Sequence, residues 1–239
     1  MAYSGPTIVS QSYVEDINDV FNDTVTVTSG NSVIVLIGRS VSTTTTIDSV
    51  TDSQGNTWTK HVDLTFNNRY VACYTTTVAS SGSLTITTTC NNIMYLHVRT
   101  VVLDSPVSVS ITDSFNDTTN QNIHYAAQSS GINTQENSLL FAIYTANSNT
   151  TMWTGTTGWT SDYNNPTYPY AIYIQHLLSE SALSGERAMI QSVTARIVLG
   201  CIISVTKTIS YGNPTLQTTK FTCGKFNNCS YENYRINQT

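Results

Sequence analysis

Alternation of apolar and hydroxyl side chains with a period of two is the feature that most limits what this chain can become. In residues 83–90, Leu84, Ile86, Thr88 and Cys90 alternate with Ser83, Thr85, Thr87 and Thr89, the pattern of a strand with one face in a core. Residues 32–37 form a shorter β-branched run, Val33-Ile34-Val35-Leu36-Ile37, of the kind buried on both faces. Strands are also expected over 69–78, 93–103, 139–144 and 170–176. In 192–205 one face carries Val193, Ala195, Ile197, Leu199, Cys201, Ile203 and Val205. That predicts a long central strand with Arg196 on its opposite face.

Turn signals separate these runs: Ser29-Gly30-Asn31, Gln54-Gly55-Asn56 and Ser81-Gly82. The one helix-like stretch, residues 177–183, is short and runs up to Gly185, so it reads as a loop or a single turn. Many short strands without intervening helices argue for a sandwich or barrel. The expected fold is all-β, a single jelly-roll-like β-sandwich over residues 21–210. An N-terminal extended arm (1–20) and a C-terminal extension (211–239) flank it; the alternative is two tandem small β-sandwiches. Aromatic residues in both end segments suggest that they cover a surface, on the same subunit or on a neighbour.

The halves of the chain echo each other. Phe21-Asn22-Asp23-Thr24 returns as Phe115-Asn116-Asp117-Thr118, and Asn31-Ser32 followed by an apolar run returns at Asn137-Ser138. Each echo leads on to a Trp-Thr pair, Trp58-Thr59 and Trp159-Thr160. Duplication of a half-sandwich, or of a small domain, would leave this pattern.

Charge narrows the function. Charged residues are 10% of the 239, against roughly a quarter in ordinary soluble domains, and the net charge is −5 with ten scattered Lys and Arg. Nucleic-acid binding needs a basic footprint that such a chain does not supply. Residues 197–205, the longest apolar stretch, are too short to span a bilayer. The opening residues carry neither a basic nor an apolar leader segment, so a chain starting at Met1 is expected to stay inside or to leave in an assembled particle.

Five cysteines include one close pair, Cys223 and Cys229, whose spacing suits a disulfide across a tight loop, with two unpaired thiols as the alternative. A Cys-x5-Cys spacing is too wide for a zinc knuckle. Cys73, Cys90 and Cys201 lie in strand-like runs as small core residues. Asp48, Asp52, Gln54 and Asn56 cluster oxygens around Gly55, but no calcium loop pattern is completed, and a hairpin with Gly55 at positive φ accounts for them.

The segment 151–170 gathers Trp153, Trp159, Tyr163, Tyr168 and Tyr170. Such aromatics cap a core, anchor a subunit interface or stack on glycans. Sequons at Asn22, Asn116, Asn149, Asn228 and Asn237 permit N-glycosylation, at a frequency that chance explains in a chain this rich in Asn, Ser and Thr. The four histidines, His61, His97, His124 and His176, are far apart in sequence, and no nucleophile elbow, zinc-protease helix or phosphate loop occurs. The chain is therefore read as a non-enzyme without a cofactor or metal.

The segment Ser49-Val50-Thr51-Asp52-Ser53-Gln54-Gly55-Asn56-Thr57-Trp58-Thr59 resembles a strand-turn-strand element of β-sandwich surface proteins. A Tyr-rich strand (70–77), Gly-Ser-Leu-Thr-Ile-Thr (82–87) and Glu-Asn-Ser-Leu-Leu-Phe-Ala (136–142) follow in the same order. The Thr-, Asn- and Tyr-rich, charge-poor composition resembles virion and appendage proteins of archaeal viruses from hot acid. There, carboxylates that protonate cannot hold ion pairs. The resemblance implies a structural subunit of a virion (capsid, turret or decoration protein) that partners copies of itself and other proteins of the particle. A secreted filament or pilus subunit linked by donated strands, or a carbohydrate-binding surface module, are the other readings.

Overall fold

The computed structural model describes residues 4–39, 46–117, 121–125, 134–146, 158–165, 172–183, 189–195 and 198–208, and all of its strands lie in the compact unit Met1–Lys207. They are β1 (Ile8–Val27), β2 (Ser32–Arg39), β3 (Ile47–Asp52), β4 (Thr59–Phe66), β5 (Arg69–Thr77), β6 (Gly82–Leu103), β7 (Val107–Asp117), β8 (Gln121–Tyr125), β9 (Ser138–Ala146), β10 (Thr160–Asn165), β11 (Ile172–Ser179), β12 (Met189–Ala195) and β13 (Val198–Lys207). No helix occurs among the described residues, and the all-β sandwich expected from the periodicity is what forms.

One sheet runs β1-β6-β2-β5-β4, with β3 added to β6; the other runs β10-β11-β9-β13-β7, and β8 pairs with β12. Each half of the chain thus fills one sheet. Taking the first, second, third, fourth and fifth main strand of each half, both sheets have the order 1-5-2-4-3: β1, β6, β2, β5, β4 and β7, β13, β9, β11, β10. In the first half the β1/β6 ribbon continues past a bend, and in the second the β7/β13 ribbon is prolonged by β8/β12, where Gln121 to Tyr125 face Ala195 to Met189. The sheets stack in opposite order, with β4 against β7, β5 against β13 and β9, and β2 against β9.

The sequence echoes land on equivalent strands. Asn31-Ser32 and Asn137-Ser138 open β2 and β9, and Trp58-Thr59 and Trp159-Thr160 open β4 and β10. In both, the β-bulge lies three residues after the Trp, at His61 and at Asp162. The Phe-Asn-Asp-Thr echo differs: Phe21 pairs with Thr88 beyond the bend, whereas Phe115 pairs with Gly200 before it.

Two cores follow from the alternation. Ile34, Leu36, Val71, Cys73, Val101 and Leu103 of the first sheet meet Phe141, Ile143, Ile174, Leu199, Cys201 and Ile203 of the second. On the outer face of the first sheet, Val33, Val35, Ile37, Ala72 and Val98 pack with Phe21, Val25, Leu84, Ile86 and Val50. The far part of the β1/β6 ribbon, with β3, therefore covers that face. This is why β2 is buried on both sides, as its unbroken apolar run predicts. Leu84, Ile86, Thr88 and Cys90 all point inward, as their spacing requires.

Several expectations need correction. Within the segment expected as an arm, Ile8 onward pairs with β6 as part of a 20-residue strand; apolar Ile8 and Val14 find cover in their own subunit. The strands expected at 83–90 and 93–103 are one strand, bent where the register jumps from Asn18↔Met94 to Val20↔Thr89. Residues 177–179 continue β11 instead of turning, since Leu177 and Leu178 face Leu140 and Leu139 of β9. The long strand expected at 192–205 is described as β12 and β13; Arg196 and Ile197 between them lie outside the described residues. Gly55 has φ 72°, but its turn joins β3, paired with β6, to β4, paired with β5. It is a corner between layers and not a hairpin. The tight hairpin is β4-β5, where Asn67 and Asn68 both have positive φ, as a two-residue type I′ turn requires.

Candidate functional site

Among the described residues, the most exposed apolar surface follows β1, which lies at one edge of the first sheet. Val9, Ile17 and Val20 are 55%, 58% and 37% exposed. Residues 15–20 are exposed without interruption, because the bend swings the strand away from the core before Phe21 turns back into it. An edge of this length presents unpaired backbone groups to any incoming strand. Glu15, Asp16 and Asp19 stand among the apolar residues, the kind of charge that discourages indiscriminate pairing.

Beneath this edge the sheets are tied by buried polar groups. Tyr13, Glu15, His97 and Arg99 share one face of the β1/β6 ribbon, where buried Arg99 stands opposite half-buried Tyr13 and buried His97 opposite exposed Glu15. The Tyr13 hydroxyl bonds His97 Nδ1, which lies 3.8 Å from Glu15 Oε2. Arg99 donates to Gln11 Oε1 and reaches across to Asp162 Oδ1 at 3.0 Å; the same oxygen lies 2.7 Å from His176 Nδ1. The Arg99 and Asp162 side chains are 4% and 3% exposed. Burial lowers the Arg99 pKa and Asp162 opposes the shift, yet a guanidinium keeps its charge in a protein. An ion pair of this kind contributes little net stability but is costly to break from one side. Its chemistry is that of a lock holding β6 of one half to β10 and β11 of the other.

The bulge at Asp162 makes this possible by turning a residue of an edge strand inward. Sequence reading missed it, since Asp162 belongs to no motif. The available signal was the Trp-Thr echo, which marks both bulges. At the matching bulge, His61 Nε2 lies 2.7 Å from Thr75 Oγ1.

Of the aromatic cluster, Trp159 is half-buried before β10, and Tyr163 lies on β10 opposite Ile174. Trp153, Tyr168 and Tyr170 lie outside the described residues. So do Cys223, Cys229, Asn149, Asn228 and Asn237. Asn22 and Asn116 are exposed, on β1 and β7; Asn22 Oδ1 accepts from Thr87 Oγ1 at 2.8 Å.

Asp48 and Asp52 do not open onto a shared cation cradle. Asp52 Oδ1 accepts from the backbone of Gln54 (2.8 Å) and Asn56 (3.3 Å), and its Oδ2 from Trp58 Nε1 (2.7 Å). The carboxylate shapes its own turn. Cys73, Cys90 and Cys201 are buried free thiols; burial pushes Cys201 up to about 12 and Cys73 well above its usual value, which keeps both unreactive. No protein-family model, curated protein or solved structure matches the chain.

Proposed function

We propose that this protein is a structural subunit of a virion, a capsid, turret or decoration protein that associates with copies of itself and with other proteins of the particle. The observation that carries the reading is the β1 edge: a long strand at the end of its sheet among the described residues, with three exposed apolar residues along it. Strand addition along such an edge joins subunits through backbone hydrogen bonds without a cofactor. The hydroxyl- and amide-rich, charge-poor composition supports service in a particle exposed to acid, where ion pairs between surface carboxylates and bases fail. The filament reading, with a donated N-terminal strand, has less support because Ile8–Val27 completes its own sheet.

Electron microscopy and light scattering of the purified chain test the proposal. Val9→Lys with Ile17→Lys places charge on exposed positions only, so the fold should survive with an unchanged Tm while assembly is lost. Particles of wild-type form from the double variant would mean that β1 is not the joint.

A further inference from the structure

The Arg99–Asp162–His176 lock has a partial counterpart in the other half, at the β4–β5 pair. There the matching bulge carries His61, and Thr75 takes the place of His176: each stands opposite the threonine that follows the tryptophan, Thr75 across from Thr59 and His176 across from Thr160. Each bulge side chain meets that partner at 2.7 Å. The third member has no charged counterpart: Cys201 of β13, opposite Ile143, holds the place that Arg99 of β6 holds opposite Leu36, and it is buried in the core. Beside His61 and Thr75 lies an open groove of about 770 Å³, bounded by Thr59, His61, Thr75, Thr77, Ser108 and Val109.

That volume falls within the roughly 300–1,000 Å³ of ligand clefts. Its described lining contains hydroxyls, an amide and one imidazole, with no carboxylate, ammonium or guanidinium group. A charged ligand entering it would give up hydration without gaining an opposite charge. Apolar ligands would strand the hydroxyls. Val107, Val109 and Ala79 add small apolar surfaces between the polar groups, an alternation that suits a ligand with C–H faces and a hydroxyl rim. Burial lowers the pKa of His61 and so favours its neutral ring.

We propose that the groove between β4, β5 and β7 is a binding site for a neutral saccharide chain, held by its hydroxyl-lined walls. The site is separate from the β1 edge and from the aromatic segment 151–170, and it does not depend on how the subunit assembles.

Glycan-array and calorimetric binding of the full chain test this, with short neutral oligomers of mannose, galactose and N-acetylglucosamine as probes. At least one series should bind. Thr59→Val and Thr77→Val, shape-matched changes at exposed positions, should each weaken it roughly tenfold, the scale of one lost hydrogen bond, at unchanged Tm. Trp159→Ala should leave it intact. Absence of binding by all the probes overturns the proposal, as does binding that both threonine variants retain or that only Trp159→Ala abolishes.

Discussion

Gly38 of β2 and Ile172 of β11 meet across the sandwich so closely that a Cβ on the glycine would overlap Ile172 Cδ1 and stand 3.1 Å from its Cγ1, with Thr145 Cγ2 at 3.3 Å. The two sheets touch here. Gly38→Ala is expected to destabilise by about 1–3 kcal/mol, the usual cost of overpacking a core. Adding Ile172→Val should recover part of that loss in chemical denaturation. Strict additivity would show that the two sites do not share the strain.

Arg99→Met alone leaves Asp162 buried without its cation and should cost about 3–5 kcal/mol. Arg99→Met with Asp162→Leu should bring stability back close to wild type, since apolar replacement of a whole buried pair is often neutral. A double variant as unstable as the single would mean that the lock does more than hold two charges together.

Leu199 lies 3% exposed in the core between the sheets. Leu199→Ala should lose about 2–5 kcal/mol. A near-neutral result in urea would place this face of β13 away from the core.

Asp104 provides the pH test. Burial pushes its carboxyl upward, but the Thr7 amide, Ser105 and Lys207 outweigh burial and hold the pKa below its ordinary value. A carboxyl depressed in the fold stabilises above its unfolded pKa, about 3.9, and loses that contribution as pH falls through the folded value. Asp104→Asn should therefore lower Tm at pH 7, with a gap that narrows below about pH 4 and closes once the wild-type carboxyl is protonated. A gap that stays constant down to strong acid would assign the effect to packing.

The period-two runs carried most of the fold, because a strand with one face in a core has only one way to distribute Leu84, Ile86 and Cys90. Burial of β2 on both faces was legible for the same reason. The path of β1 was not: residues 8–20 alternate weakly, and only their pairing with β6, far along the chain, makes them a strand. Leu177 and Leu178 look helical beside Ala182 and Leu183 until β9 supplies partners, and tertiary pairing then overrides local pattern. The lock was invisible for a different reason. Asp162 and Arg99 belong to different halves, and a bulge, which has no composition of its own, turns one toward the other.

Asp104 also determines where the sandwich begins and ends. Its backbone and carboxylate hold Thr7, the residue before β1, through Thr7 N at 3.1 Å and Thr7 O at 3.1 Å, while Oδ2 holds Lys207, the last residue of β13, at 3.3 Å. Chain entry and chain exit therefore meet at one corner. A short linker between these two points would close the sandwich into a ring, and new termini opened at the Asn67-Asn68 turn would give a circular permutant with the same sheets. The same geometry lets the whole sandwich be spliced as a cassette into a surface loop of another protein, because its two ends ask the host for a single point of attachment.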